Sequence, residues 1–274
     1  MFKNIFIVII LLICLSCNGQ TQNTTTNDKS LLSDNATFDT TTRTIHIFVA
    51  LCDNKYQGIV PVPKAIGNGQ DPANNLYWGC AYGIRTYFKN SKDWKLLKTK
   101  KIDSTKLERA IYKHVTKNYY LVADAYNGKY IKQCTKDFLH SCAGQIKDTL
   151  IVDNTIIGIA GNAKLNAYIG HDGLMDFTLN KNDYKNADNI TRDAIILACY
   201  SKKFFTPHLQ MTKAKPLVWT THLMAPEAYT IHDALTGYID DEPAEEIRTR
   251  AAKAYAKYQK CSEKAARGLL VTGY

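Results

Sequence analysis

Four segments of the sequence are short and predominantly hydrophobic, and several are rich in β-branched residues: residues 44–51, 119–125, 194–199 and 217–221. A strand that is apolar on both faces is typical of a parallel sheet that is buried on both sides. Longer stretches with helical periodicity separate these segments, and such alternation is typical of an α/β domain. The sequence therefore predicts a three-layer α/β fold, with a mostly parallel sheet and helices on both of its faces.

Periodicity and capping patterns predict the remaining elements. Apolar runs at 154–160 and 163–170 indicate two more strands, and the lysine-rich segment 92–101 indicates a solvated strand or turn. The helix predicted over 104–115 begins with a capping-box pattern formed by Thr105 and Glu108. Helices are predicted over 76–88, 104–115, the segment around Cys134, 225–238 and 243–267.

The N-terminus has the pattern of an export signal. One positive charge, Lys3, precedes an unbroken apolar run at 5–15, which is too short to cross a bilayer and remain there. The run closes on Ser16 and Cys17, and here the sequence resembles a bacterial lipoprotein leader, in which the mature chain begins at a diacylated cysteine. The resemblance implies a signal peptide over 1–16 and lipidation of Cys17, which attaches the chain to a membrane without spanning it. An ordinary secretory peptide with a chance cysteine is the alternative.

The same resemblance implies a location in the bacterial cell envelope, and Asn18 after the cysteine implies, by the usual lipoprotein rule, the outer membrane. Residues 21–42 contain few large apolar side chains, so they bury too little surface to offset the entropy lost on ordering. We therefore predict a flexible tether over 17–42, followed by a single folded domain over 43–274.

The formal net charge of +10 comes from basic residues that are scattered along the chain. No nucleic-acid-binding motif accompanies them, so nucleic acid is not expected as a partner. A basic surface close to anionic lipid accounts for the charge more simply.

The cysteines beyond Cys17 permit two interpretations. Their even number in an exported protein permits a disulfide framework. Cys134 and Cys142, however, fall on one face of a predicted helix about 12 Å apart, farther than the roughly 4.4–6.8 Å between Cα atoms that a disulfide allows. We therefore predict that most of these thiols are small buried hydrophobic groups. Because the chain has no C-x-x-C motif, a zinc site built from cysteines is not expected. The six cysteines are Cys52, Cys80, Cys134, Cys142, Cys199 and Cys261.

Two predicted strands end in residues that carry chemistry. One ends in a glycine followed by His171, Asp172 and Gly173, and another ends in Cys199. In a parallel sheet the carboxyl ends of the strands gather the reactive groups at one edge. A Cys–His pair is the minimum for nucleophilic acyl transfer, because the imidazole takes the thiol proton and the thiolate attacks a carbonyl. Gly173 permits close backbone approach, and its N–H and that of Cys199 are the predicted oxyanion donors.

A strand ending in His-(x)-Gly, a helical link and an apolar strand ending in Ala-Cys together resemble the caspase-like cysteine peptidases, which include caspases, legumain, gingipains and separase. The resemblance covers residues 44–240 in architecture and only His171, Gly173 and Cys199 in motif. Asp172 stands between the histidine and the glycine, which are adjacent in that family. The resemblance implies a cysteine endopeptidase that acts on a polypeptide without a cofactor, with Cys199 as nucleophile and His171 as base and acid.

The resemblance also implies where the substrate is recognised. In that family the loop after the first strand lines the recognition pocket, and here this loop carries Asp53 and Asn54. A carboxylate at the base of the pocket favours a basic residue before the cleaved bond. A panel of peptides tests this preference.

A function of another class is also open: a non-catalytic cell-envelope lipoprotein that binds a peptide or a carbohydrate. The segment 55–77 is a long loop rich in glycine and proline, and loops of this length in compact domains are usually functional. Its tyrosines and Trp78 offer large amphipathic contact area. The enzyme requires Cys199 and His171 at one open cleft, whereas the binding protein leaves Cys199 buried or disulfide-bonded.

Overall fold

The computed structural model describes residues 37–38 and 43–274. The signal peptide predicted over 1–16, the lipid attachment at Cys17 and nearly all of the predicted tether over 17–42 lie outside the described residues, and they stay predictions. None of the helices in the described part of the chain is long and apolar enough to span a bilayer.

The elements are numbered in chain order. The strands are β1 (Thr37–Phe38), β2 (Arg43–Ala50), β3 (Trp94–Lys101), β4 (Lys106–His114), β5 (Tyr119–Tyr126), β6 (Lys147–Val152), β7 (Thr155–Ala160), β8 (Leu165–Gly170), β9 (Asp193–Leu197), β10 (Lys215–Thr220) and β11 (Leu270–Val271). The helices are α1 (Ile84–Asn90), α2 (Ile131–Cys142), α3 (Ser201–Thr212), α4 (Ala228–Ile239), α5 (Ala244–Gln259) and α6 (Glu263–Leu269).

An eight-stranded sheet forms the centre of the fold, in the order β11-β10-β9-β8-β2-β5-β4-β3. The strands from β10 to β5 in that order run parallel, and β11, β4 and β3 are added by antiparallel pairing at the two edges. A separate three-stranded sheet has the order β1-β7-β6. The predicted α/β class with a mostly parallel sheet is therefore confirmed.

Helices cover both faces of the large sheet, which explains why its central strands are apolar on both faces. On β2, Ile45, Ile47 and Val49 belong to a core that includes residues of α4 and α5. Phe48 and Ala50 point to the opposite face, where α2 and α3 supply the apolar contacts. The arrangement gives three layers, helix, sheet and helix.

The helix predicted over 104–115 is wrong, because this segment forms strand β4. It pairs with β3 on one side and with β5 on the other over most of its length. Ala110, Ile111 and Tyr112 are consecutive and all buried, which a strand inside a sheet permits. Glu108 accepts hydrogen bonds from the indole N–H of Trp78 at 2.7 Å and from a neighbouring arginine, so it does not cap a helix.

Two other predicted helices are shorter or interrupted. Helix α1 begins only at Ile84, because Gly83 is extended (φ −75°, ψ 154°) and the segment before it forms turns. These turns pack so closely that a Cβ atom at Gly83 would lie 2.4 Å from the backbone carbon of Trp78. The helix predicted over 243–267 is broken at Lys260, which adopts a left-handed φ of 54°. A new helix, α6, then starts at a Ser262 cap that accepts the N–H of Ala265.

The helix around Cys134 is confirmed as α2, and its two thiols are buried in the apolar core. All six described cysteines are free thiols. The prediction that Cys134 and Cys142 act as small hydrophobic groups is therefore confirmed, and the disulfide interpretation is wrong for this structure.

A buried charged triad joins three neighbouring strands of the sheet. Arg109 on β4 donates to both carboxylate oxygens of Asp124 on β5, at 2.6 and 2.7 Å. His46 on β2 accepts the N–H of Ala160 at Nδ1, so its Nε2 carries the proton and donates to Asp124 at 3.2 Å. Burial lowers the pKa of His46, which favours this neutral form. Burial by itself raises the pKa of Asp124, but the hydrogen bonds from Arg109 and His46 hold it well below its usual range.

Replacing Arg109 with methionine is expected to lower the free energy of unfolding by about 3–5 kcal/mol, because Asp124 would keep its buried charge without its cation. Urea unfolding monitored by circular dichroism measures the loss. The matched control is Lys117→Met, since Lys117 forms an exposed ion pair with Asp240 at 3.0 Å and is expected to contribute less than about 1 kcal/mol. Similar losses in the two variants would contradict the assigned role of the triad.

The same triad predicts the direction of acid sensitivity. Because the folded state holds the pKa of Asp124 below its ordinary value, the associated stabilisation is complete above about pH 4 and is lost as the pH falls toward the folded pKa. Unfolding curves of the wild type between pH 4 and pH 2 should therefore show falling stability. Asp124→Asn should be less stable at pH 6 and lose less on acidification, and a parallel decline in both proteins would refute this assignment.

Candidate active site

The parallel pairing of β8 with β9 brings the two predicted chemical groups to the same edge of the sheet. Ile169 is the register partner of Leu197, and this is the last matched pair of the two strands. His171 and Cys199 each follow that pair by two residues. The structure therefore places both residues at the carboxyl edge, where reactive groups gather in parallel α/β sheets.

Two glycines shape the turn that carries His171. Gly170, the last residue of β8, has a φ of 138°, and a Cβ atom there would lie 2.5 Å from the carbonyl oxygen of Ala50. A Cβ atom on Gly173, which opens a 3₁₀ turn, would lie 2.6 Å from the ring of Phe177. The positive φ and the backbone contact at Gly170 require glycine, whereas Gly173 packs against a side chain.

The His171 imidazole is held by a carboxylate that the sequence analysis did not identify. Its Nε2 lies 2.8 Å from Oδ2 of Asp176, which also accepts the backbone N–H of Gly58 at 2.9 Å. The carbonyl of His171 accepts the hydroxyl proton of Tyr168 at 2.8 Å. With Nε2 engaged by Asp176, Nδ1 is the nitrogen left to exchange a proton with a nucleophile.

Cys199 lies on a strained turn between strand and helix. Strand β9 ends at Leu197, and helix α3 begins at Ser201 after Tyr200, whose φ is +51°. A bulky residue in the left-handed region is uncommon, and such strain is concentrated at functional sites. Sharp strand-to-helix turns of this kind expose the nucleophile in other α/β enzymes.

A buried hydroxyl network fixes this turn in place. The Ser201 hydroxyl donates to the carbonyl of Ile196 at 2.9 Å and accepts the backbone N–H of Thr220 at the same distance. The Thr220 hydroxyl in turn donates to the carbonyl of Ala198. Strand β10 thus holds the turn from one side, and the Cys199 backbone has a defined orientation.

The Cys199 thiol is free and partly buried, and it contacts the segment after β10. Its Sγ lies 3.6 Å from the carbonyl oxygen of Met224 and accepts the N–H of Met224 at 3.4 Å. Burial raises the pKa of the thiol; the Met224 N–H opposes this effect and the charge of Asp172 adds to it. Within the described residues, no hydrogen bond joins Cys199 to His171.

The two predicted oxyanion donors are alike in their bonding. The backbone N–H of Cys199 has no hydrogen-bond acceptor among the described residues. The backbone N–H of Gly173 likewise has no hydrogen-bond acceptor among the described residues. Both N–H groups therefore remain candidate oxyanion donors.

Asp172, which separates His171 from Gly173, is the third group at this edge. The residue is 0% exposed. Its Oδ1 accepts the N–H of Leu174 at 2.9 Å, whereas its Oδ2 has no hydrogen-bond partner. Burial raises the pKa of this carboxyl to about 7 despite the Leu174 bond, and the nearby Asp176 adds to the rise.

The predicted pocket residues Asp53 and Asn54 both make hydrogen bonds inside their own loop. Asp53 is 2% exposed, and its carboxylate accepts the N–H groups of Lys55 and Tyr56 and the amide of Gln70. Asn54 bonds to the backbone of Val62 in both directions, at 2.8 and 3.0 Å. These contacts stabilise the loop, and the predicted role of the two residues in substrate recognition stays a prediction.

The loop contains a cavity. Its volume is about 750 Å³, and loop residues from Lys64 to Cys80 line it. Cys80, on its wall, donates to the carbonyl of Asn74 at 3.2 Å. Among the residues that the structure describes, no three His, Cys, Asp or Glu side chains form a group that would hold a metal ion.

Comparisons with the models of known protein families, with curated proteins and with solved structures gave no match.

Proposed function

We propose that this protein is a cysteine endopeptidase in which Cys199 is the nucleophile and His171 the general base and acid. The observation that carries the proposal is the register of β8 and β9, which places the two residues at one sheet edge, each two positions beyond the last matched pair. The strained turn at Cys199 and the carboxylate behind His171 add to it.

In the proposed reaction, the Cys199 thiol gives its proton to Nδ1 of His171, and the thiolate attacks the peptide carbonyl carbon. Asp176 keeps the imidazole oriented and stabilises the cation that forms. The imidazolium then protonates the leaving amine as the C–N bond breaks, which leaves an acyl-enzyme. Water, deprotonated by His171, hydrolyses the thioester and restores the thiol.

The backbone N–H of Cys199 is the proposed donor to the oxyanion. It belongs to the residue that attacks, so its distance from the reacting carbon is set by the fixed turn. Gly173, the other predicted donor, contributes in this proposal through the close packing of its turn against Phe177, which positions His171.

The thiol must leave its contacts with Met224 before it reacts. In the resting geometry Sγ is hydrogen-bonded to that backbone and is kept neutral by its burial. Catalytic hydrogen bonds are often long or absent in free enzymes and tighten when substrate binds. Movement of the segment after β10 on binding is therefore part of the proposal.

The caspase-like identity and the cellular location are further parts of the proposal. A polypeptide substrate follows from the caspase-like resemblance, and lipidation of Cys17 would hold the enzyme at the outer membrane of a bacterium. The scattered positive charge of the chain, +10 in total, suits a surface near anionic lipid.

The second candidate function is binding without catalysis. The observation that favours it is the cavity of about 750 Å³ in the loop from Lys64 to Cys80. Pockets of this size accommodate small ligands or a few residues of a peptide. A binding protein would retain ligand affinity when Cys199 is replaced, and this distinguishes it from the peptidase.

Alkylation of the reduced protein with iodoacetamide tests the pair directly. In His171→Ala, the alkylation rate of Cys199 between pH 6 and pH 7.5 is expected to be about tenfold lower than in the wild type, because the thiol would lose the base that shares its proton. Peptide mapping measures the rate at each cysteine, with the exposed Cys261 as internal standard and His140→Ala as matched histidine control. An unchanged Cys199 rate in His171→Ala would contradict the proposed pair.

Hydrolysis of a panel of fluorogenic peptides tests the activity. Cys199→Ser is expected to lower kcat by about 1,000-fold or more, because the hydroxyl is a far weaker nucleophile in this setting. Cys261→Ser is the matched control and should keep full activity. A preference for Arg or Lys before the cleaved bond would agree with the pocket predicted at Asp53. Turnover that survives in Cys199→Ser would exclude this site as its source.

A further inference from the structure

Basic side chains gather at the edge of the large sheet that lies opposite to the candidate active site. Arg43 is the first residue of β2, Lys164 directly precedes β8, and Arg192 directly precedes β9. The first residues of β8 and β9 are register partners, and the first residue of β8 also pairs with the third residue of β2. The parallel pairing therefore brings three positive charges together at the amino edge of the sheet.

These side chains line a cavity of about 390 Å³. Lys147, the first residue of β6, supplies a fourth positive charge to the lining, and Thr191 supplies a hydroxyl. Among the described residues that line this cavity, four are basic and none is acidic. Sites for small ligands have volumes of roughly 300–1,000 Å³, and a concave surface that carries charges of one sign attracts ligands of the opposite sign.

One wall of the cavity is fixed by a shared carboxylate. The side chain of Arg192 is only 3% exposed, and its Nη2 lies 2.6 Å from Oδ2 of Asp188. Its Nε donates to the carbonyl of Gly161 at 2.6 Å. Nζ of Lys147 lies 2.7 Å from the same oxygen of Asp188. Because a single carboxylate compensates two cations, this wall retains a net positive charge.

The opposite wall is open to solvent. Nη1 of Arg43 lies 3.0 Å from Asp241, whose side chain is 75% exposed, so this ion pair is screened by water. Lys164 is exposed, and its ammonium group has no ion-pair partner in the part of the chain that the structure describes. Asp193, at the start of β9, accepts the hydroxyl of Tyr238 at 2.9 Å. The four cations of the lining are thus in contact with only two carboxylates among the described residues.

Neutral donors accompany the cations. The backbone N–H groups of Thr191 and Arg192 have no acceptor among the described residues. Cations, hydroxyls and free backbone N–H groups together are the donors that proteins use to hold phosphate. A terminal phosphate has a charge of about −1.5 to −2 and three acceptor oxygens, so it matches several cations better than a carboxylate does.

We propose that the amino edge of the sheet binds a terminal phosphate group in the cavity between Arg43, Lys147, Lys164 and Arg192. Arg192 and Lys147 form the fixed wall, and Arg43 and Lys164 contact the phosphate from the solvent side. The cavity lies about 23 Å from the candidate active site, which is the length of β2 at about 3.3 Å per residue. Phosphate binding here therefore does not depend on the activity proposed for Cys199.

Calorimetric titration of the full chain with inorganic phosphate at pH 8 tests the site, with sodium chloride added to keep the ionic strength constant. Lys164→Gln is expected to raise the Kd for phosphate about fivefold, the effect of losing one exposed charge pair. Lys98→Gln is the matched control, because it removes an equal charge from an exposed position on β3, and it should leave the Kd unchanged. Absence of phosphate binding by the wild type, or equal Kd values for Lys164→Gln and the wild type, would overturn the proposal.

Acetylation of lysines in the wild type gives a second test that requires no variant. Only the unliganded protein reacts at Lys164, so phosphate at about ten times its Kd should slow acetylation there about tenfold. Mass spectrometry of the peptides measures this rate beside that of Lys98, which should not change. Equal slowing at both lysines would show general screening by salt and would contradict a phosphate site.

The same measurement distinguishes a lipid headgroup from a soluble phosphate compound. The full chain is placed on phosphatidylcholine vesicles that contain either phosphatidic acid, which has a terminal phosphate, or phosphatidylglycerol at matched surface charge. Stronger protection of Lys164 by phosphatidic acid than by phosphatidylglycerol would identify a lipid headgroup as the ligand. Protection by inorganic phosphate alone would identify a soluble compound. Equal protection by the two lipids with none by inorganic phosphate, or no protection by any of the three, would exclude the site.

Discussion

The parallel pairing of β8 with β9 determines the position of every group in the candidate site. A shift of the register by one residue would turn each side chain to the other face of the sheet and separate His171 from Cys199. The shift is prevented by burial, because Tyr168 and Ile196 on one face and Ile169 and Leu197 on the other belong to two different apolar cores. The chemistry at the carboxyl edge thus depends on packing several residues away from it.

Polar groups inside this core fall into two kinds. Those that join strands are paired: the hydroxyls of Ser201 and Thr220 donate to the backbone carbonyls of Ile196 and Ala198, and Asp124 bonds to Arg109 and His46. Asp172 has one oxygen without a partner, and Asn166 on β8, His208 and Thr230 also have buried side-chain atoms without one. Since buried polar groups are nearly always satisfied in folded proteins, these four residues are the exceptions in the described core.

The apolar runs of the sequence indicate the strands, and the residues that follow each run lie at the carboxyl edge of the sheet. The ends of the strands could therefore be predicted from the sequence. This reasoning located His171 and Cys199 without knowledge of the loops. It did not find Asp176, because that carboxylate is brought to the imidazole by a 3₁₀ turn and by the backbone of Gly58, which is more than 100 residues away in the chain. The sequence pattern wrongly predicted a helix where β4 lies. The capping-box pattern at Thr105 reflects only neighbouring residues, whereas the pairing of β4 with β3 and β5 depends on contacts between separate segments.

The left-handed backbone of Tyr200 and the burial of Asp172 both lower the stability of the folded state. A left-handed tyrosine costs of the order of 1–3 kcal/mol. The carboxyl of Asp172 has a folded pKa of about 7, above its ordinary value, so the unfolded chain releases this proton near pH 4 and the folded chain only near pH 7. Stability therefore falls as the pH rises between those values, by roughly 4 kcal/mol in total. Both costs are partly offset, because Tyr200 donates its N–H to the carbonyl of His222 at 2.9 Å and Asp172 accepts the N–H of Leu174. Six other non-glycine residues of the described chain also have a left-handed φ, among them Lys213 and Lys260 at helix ends, so the backbone of Tyr200 follows from the sharp turn between β9 and α3.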